Sequence, residues 1–590
     1  MKKKGIWLVV ALAALLVAGA LFFTRGGRDT GSSEAVASFV PENALALVTV
    51  MHLDQIADGF AATPLGHFFA KDTMHAILDD LKADAAVQKD YDQLFDGIAQ
   101  TLDHPAFRAV FGDDLTLVLL PPDMALLRDN PELALQRSVV TYATTQGASL
   151  ASLLGNLVKG VTIEKETVEG LELNRIQVTD SSGRTNTFYG YSEGNVLLLA
   201  QDKAPVLAGV KAKKGGANLQ AQSGYREAVA FWQKESAAAP MSTSYYNIAG
   251  MAALLPQLDT LAGGEKKRQD FEKLATYASG IDYAYDVAFK STKGLESKSR
   301  IKIRYDALHE LVRNSVDISL ASDSSPLSFL DEQSLLFYWI TSWTPENLLK
   351  LVAEEDPEDY AKFQTQVQGV LGIPPEEAAS SFGPRYGLVL NDIVQTKVSP
   401  MPDVAIFANV RNRANVEKLA GSVNQIVAPY GIASTQQQVD QARLYTWPVM
   451  NEVGLVPSLG VDDHMLVLGA MQKTVQPLLA KSGRTGTLPQ ELMTILGTEM
   501  SADLTMANNA AVVFRPAKLA AKSQPLLTML TSTTGRESVL SRELIKLMQS
   551  TEVMASACTV GKEQAEFHAM WVPVAPKGLW LWKKQHKKLG

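Results

Sequence analysis

The feature that most constrains this chain is that it reads the same pattern twice. Ser38 to Val50 runs SFVPENALALVTV and Ser328 to Ile340 runs SFLDEQSLLFYWI, each a Ser-Phe opening, an acidic polar turn and an apolar run. FGDDLTLVLL from Phe111 is answered by FGPRYGLVLN from Phe382, and GYSEGNVLLLA from Gly190 by GVDDHMLVLGA from Gly460. The last two pairs are separated by 271 and 270 residues, so an internal duplication is expected, with the register kept between them. The repeated positions are apolar strands and turns, which speaks to architecture and not to chemistry.

At 590 residues and 46% hydrophobic, the chain is long enough for two globular domains, each with its own core. The expected class is α+β: two tandem homologous domains, each an antiparallel-rich sheet with helices packed mainly on one face, preceded by one transmembrane helix. The expected divisions are 1–37 for a lysine cluster, anchor and tether, 38–318 for the first repeat, and 319–327 for a Ser-rich linker. The second repeat then covers 328–576, and a basic aromatic tail covers 577–590.

The amino terminus supplies the anchor. Lys2, Lys3 and Lys4 precede an uncharged run, Gly5 to Phe23, just long enough as a helix to cross about 30 Å of hydrocarbon. Retention of the lysines inside places the body outside the cytoplasm. A cleaved signal peptide ending near Ala18-Gly19-Ala20 is the alternative, disfavoured because Leu21-Phe22-Phe23 carry the apolar run past that site. Thr24 to Ser38 reads as a flexible tether.

Ten of the 55 basic residues, but only two of the 63 acids, lie in residues 1–35 and 577–590, leaving a body of 45 bases against 61 acids. Such a body repels polyphosphate backbones, so nucleic acid is not an expected partner. One cysteine, Cys558, excludes an intramolecular disulfide and a cysteine-built metal site.

Within each copy, strands are expected at Ala44 to Val50 and Leu335 to Ile340, at Ser138 to Tyr142 and Val404 to Val410, and at Val196 to Ala200 and Met465 to Leu468. Helical faces are expected from Leu150, Leu153, Leu154 and Leu157, and from Val416, Leu419, Val423 and Ile426. Glu169-Gly170 signals a hairpin. The Ser-Phe to Phe-Gly separation is 73 residues in the first copy and 54 in the second, so length varies in the helical stretch after the first strand.

No motif places chemistry. Gly190 to Gly194 matches G-x-S-x-G, but a strand follows where a nucleophile elbow needs a helix, so Ser192 reads as hairpin. Ser299 to Lys302 spells Ser-x-x-Lys inside an alternating strand. No two histidines stand four apart on a helix. Asp462-Asp463-His464 offers two carboxylates and an imidazole but occupies an expected hairpin turn, and Glu566 with His568 reads as a solvated strand face. Phe337-Tyr338-Trp339 with Trp343 could line an apolar groove, with buried packing the favoured reading. No catalytic, cofactor or metal residue is therefore assigned, and no cofactor is expected. Trp580, Trp582, Lys583, Lys584, Lys587 and Lys588 combine interfacial aromatics with cations and are the membrane-interface candidates.

The anchor, the short tether, the strand Pro41-Glu42-Asn43-Ala44-Leu45-Ala46-Leu47-Val48 and the following Thr63-Pro64-Leu65 together resemble a family of bacterial membrane-anchored envelope proteins of unknown function. The resemblance implies an exported, tethered protein and transfers no catalytic residue. The expected role is a non-enzymatic binding or scaffolding protein at the inner membrane, with an envelope protein as partner. A carrier for an apolar ligand such as lipid is the alternative, and a hydrolase without a recognisable motif a further one.

Overall fold

The computed structural model describes residues 31–53, 59–103, 108, 111, 114–144, 161–179, 185–236, 240–257, 265–341, 344–355, 357–396, 399–449, 455–534 and 538–574. The chain divides into two compact units, one of Met1–His309 with Lys562–Ala565, the other of Glu310–Gly561 with Glu566–Gly590.

The strands of the first unit are β1 (Ala46–Met51), β2 (Asp114–Leu119), β3 (Val139–Thr144), β4 (Val161–Val168), β5 (Leu171–Thr179), β6 (Thr185–Glu193), β7 (Val196–Ala200), β8 (Pro240–Tyr246), β9 (Ile281–Lys290) and β10 (Leu295–Ile303). They pair in the order β4-β5-β6-β7-β3-β2-β1-β8-β9-β10. The expected hairpin joins β4 to β5, with Glu169 and Gly170 both at positive φ as a two-residue primed turn requires.

The second unit carries β11 (Leu336–Ile340), β12 (Phe382–Gln395), β13 (Pro400–Val410), β14 (Thr435–Val439), β15 (Ala442–Thr446), β16 (Ser458–Val461), β17 (Met465–Gly469), β18 (Ala510–Phe514), β19 (Thr551–Val560) and β20 (Gln564–Pro573). Their order is β14-β15-β16-β17-β13-β12-β11-β18-β19-β20, the first unit's connectivity strand for strand.

Three parts of the expected fold are corrected. Each unit carries ten antiparallel strands, and the described residues form nineteen α-helices, so the fold is richer in helix than the antiparallel-rich domains expected. Nor do helices keep to one face. The run Val196-Leu197-Leu198-Leu199-Ala200 is apolar on both sides of the pleat, and alternation sends Val196, Leu198 and Ala200 into one core cluster and Leu197 into another, with Leu199 packed at the second cluster's border. In the second unit the helix Arg413–Val427 covers the second face with Val416 and Ala420, while Ile426 of the expected stripe is exposed. Finally, no described helix is long and apolar enough to cross a membrane, and the Gly5 to Phe23 run lies outside the described residues, as do Leu150 to Leu157. The fold therefore contains no transmembrane helix among its described elements.

The sheet also corrects the sequence alignment of the halves. One cross-strand row in the first unit is Leu47, Val118, Val140, Ala200, and its counterpart is Phe337, Val389, Ala405, Gly469. The separation between partners is 271 at Val118 and Val389 but 265 at Val140 and Ala405, because a helical excursion joins β2 to β3 whereas β12 ends at Gln395 and β13 begins at Pro400. Ala200 and Gly469 are 269 apart, one less than the glycine-matched alignment suggests. A one-residue slip would turn every core side chain to the other face, so the structural register is the physical one.

Serine-rich residues 319–327 are structured. Ser319 lies in the last turn of the helix Glu310–Leu320 and is buried, and Ser325–Phe329 forms a 3-10 turn that buries Pro326 and Leu327.

Candidate functional site

The polar groups singled out from sequence resolve into structural roles. Asp462 is buried and its carboxylate accepts the backbone N–H groups of His464 and Met465, both at 2.8 Å, and the Ser482 hydroxyl at 3.2 Å. Asp463 is exposed and receives Arg413 at 3.2 Å. The three residues close the β16–β17 turn and do not converge on a common point. In the structural register the counterpart of this turn is Glu193-Gly194-Asn195. Ser192 lies in β6 opposite Leu197, and Ser299 lies in β10 opposite Asp286, each within a strand ladder.

His568 departs from expectation. It is buried, and its Nδ1 lies 2.6 Å from a carboxylate oxygen of Asp503 on the helix Gln490–Met506. The partner that overturns the solvated face expected for His568 stands 65 positions away in the chain. Another missed cluster joins Tyr283 and Tyr285, whose hydroxyls donate to Glu227 at 2.8 and 3.1 Å. Burial pushes the Tyr285 hydroxyl up to about 12, so both phenols stay neutral donors. These groups have partners within the fold. Among the described residues no three of His, Cys, Asp and Glu stand together as a ligand set. Trp580, Trp582, Lys583, Lys584, Lys587 and Lys588 lie outside the described residues, as does Trp343.

Phe337 and Trp339 are fully buried in the second unit's main core, as the packing reading expected, and alternation turns Tyr338 to the opposite face. There it belongs to a cross-strand row: Leu468, Ile406, Leu388, Tyr338, Val512, Ser556. Ile406 is 53% exposed and Leu468 40%, directly opposite one another on neighbouring strands, and Leu388, Tyr338 and Val512 are half-buried. Burial raises the Tyr338 hydroxyl above its ordinary range, and burial with the nearby Tyr338 does the same for Tyr386.

The equivalent row of the first unit reads Leu199, Thr141, Leu117, Val48, Ser244, Asp286. Where the second unit has Ile406, Val512 and Ser556, the first has Thr141, Ser244 and Asp286. Leu117 and Leu199 pack against a core cluster, and Ser244 donates a hydrogen bond to Asp286. The first unit's row thus mixes three apolar residues with three polar ones, two of them hydrogen-bonded to each other, while the second unit's row is apolar from Leu468 to Val512 and exposed at Leu468 and Ile406.

The asymmetry extends beyond this row. Of the twenty large apolar residues exposed among the described residues, sixteen are in the second unit, including Leu348 and Val352 one helical turn apart.

No family model matches the chain, and no curated protein matches it. A solved structure titled "Structure of crystal form I of TP0453" aligns at 7% identity over 49% of this chain and 86% of that one, with a TM-score of 0.20, a likeness too slight to carry an argument.

Proposed function

We propose that this protein is a non-enzymatic binding protein of the cell envelope, exported by its amino-terminal apolar segment, held at the inner membrane, and capturing an apolar partner surface on its second unit. The observation that carries this reading is the exposed pair Ile406 and Leu468, set against their half-buried first-unit counterparts Thr141 and Leu199. A sheet face that serves only to fold has no reason to place Ile where the duplicate has Thr and leave it half in water, since burying such a side chain is worth ~1.5–3 kcal/mol. Export is supported by the lysine-led apolar run at residues 2–23 and by the resemblance of Pro41 to Val48 to tethered envelope proteins.

The duplication gives the proposal a built-in control. Photoreactive side chains installed at Ile406 and at Thr141 occupy equivalent sheet positions, so a partner on the second unit crosslinks in living cells at 406 and not at 141. Equal adducts at both positions, or none at 406 under any growth condition, would contradict the proposal.

A further inference from the structure

Each unit's strand order begins on an edge strand, and the two copies treat that edge differently. Among the described residues, β4 pairs with β5 alone and β14 with β15 alone. In the first unit the edge is fenced by charge. β4 carries Glu164, Lys165 and Glu166 in succession, with ion pairs from Lys165 to Glu172 at 2.6 Å and from Lys203 to Glu166 at 3.4 Å. Charged side chains on an edge strand discourage pairing with another chain.

β14 has no such fence. It reads Thr435-Gln436-Gln437-Gln438-Val439, without charge or proline, and its first four residues are exposed, so neither face of the strand is covered. The 3-10 turn Ala428–Tyr430 leads into it, and Tyr430 is 80% exposed, more than any other large apolar residue among those described. Tyrosine is one of the residues enriched where proteins meet.

Register decides which backbone groups are available. Val439 and Ala442 close the two-residue loop Asp440-Gln441, so Thr435, Gln437 and Val439 direct their N–H and C=O groups to β15, and Gln436 and Gln438 direct theirs outward. An antiparallel copy of the same strand, related by a two-fold axis at Gln437, sets Gln436 of each chain opposite Gln438 of the other, where every outward N–H meets a carbonyl. The side chains suit that pairing, because a primary amide carries both donors and an acceptor and is complementary to itself. The same operation on β4 about Lys165 opposes Lys165 to itself and Glu164 to Glu166, like charges that destabilise a cross-strand pair. One edge of the chain therefore rejects its own copy and the other accepts it.

We infer that β14 pairs antiparallel with β14 of a second copy of this chain, joining two molecules through their second units. The contact is independent of the binding role proposed above and uses none of its residues.

Sedimentation of the full chain in mild detergent over a range of concentrations tests this, together with disulfide trapping in intact envelopes. The chain should show a reversible monomer–dimer equilibrium. Gln436→Pro removes an outward N–H while leaving the bonds to β15 in place, and should weaken the dimer at least about ten-fold. Gln437→Lys and Gln437→Glu should each weaken it at least about ten-fold, and mixing the two should restore it, which misfolded variants could not do. Because Cys558 is buried, Gln437→Cys supplies a single accessible thiol, and at the two-fold axis it should form an interchain disulfide under mild oxidation. Thr167→Cys on β4 should not. A chain that stays monomeric up to its solubility limit, a dimer indifferent to these substitutions, no recovery in the mixture, or equal trapping by the two cysteine variants each overturns the pairing. A disulfide from Gln437→Cys to a different protein, without the homodimer, overturns the second copy as the occupant.

Discussion

Ile406 and Phe407 are neighbours in one strand and face opposite ways, so a pair of substitutions tests the assignment of faces within a single segment. Phe407 is completely buried, stacked on Phe337 with ring centroids 6.3 Å apart and tilted against Phe329 at 4.8 Å. Removing a ring from such a site costs ~3–5 kcal/mol. Ile406 is 53% exposed, and Thr retains β-branching, so Ile406→Thr should cost no more than about 0.5 kcal/mol. In a unit of this size each kcal/mol moves the melting temperature by about 2–4 °C. Scanning calorimetry should therefore show Phe407→Ala lowering the transition by roughly 6 °C or more, with Ile406→Thr within about 2 °C of the parent. Comparable losses in the two variants would refute the assignment of Ile406 to an open face.

Other expectations follow from single side chains. Gly387 lies between Trp339 and Phe407, and a Cβ there would sit 2.1 Å from the Tyr338 carbonyl oxygen and 2.6 Å from the Phe407 ring, so Gly387→Ala should destabilise by ~1–3 kcal/mol in urea titrations. Gly421→Ala, inside the helix Arg413–Val427 with nothing within 4 Å of the added methyl, should stabilise by ~0.5–1 kcal/mol. Burial raises the Asp286 carboxyl above its ordinary value, more than the Ser244 hydroxyl lowers it, so this acid favours folding at low pH and loses that contribution as pH rises through its folded pKa. Asp286→Asn should accordingly stabilise the protein at pH 7, with the gain shrinking towards pH 4, and a loss of stability at pH 7 would count against this reading. The Cys558 thiol, buried in β19 and pushed by burial up to about 12, should resist alkylation at pH 8 until urea unfolds the chain.

The duplication was legible because apolar strands and turn residues recur in order, and the hairpin at Glu169-Gly170 was legible because only a few residue types turn a two-residue loop. Where the alignment slipped by one, at Val196 to Ala200 against Met465 to Gly469, both runs are apolar throughout. Composition there cannot say which residues face which core, whereas the pairing of Ala200 with Val140 and of Gly469 with Ala405 can. The same double-sided greasiness hid the second helical layer. The open row was not legible at all, because its members come from five strands spread over residues 338–512 and meet only through cross-strand register. His568 was misread for a similar reason, its partner Asp503 lying on a helix that no local pattern ties to that strand.

On this reading the second unit's apolar row is covered in its native setting, while the equivalent first-unit row needs no partner. Hydroxyl-radical footprinting measures this directly by comparing purified protein with intact envelopes. Ile406 and Leu468 should react readily in the purified chain and be strongly protected in the envelope, with Leu199 showing the same low reactivity in both. Equal reactivity of Ile406 and Leu468 in the two preparations would contradict the account.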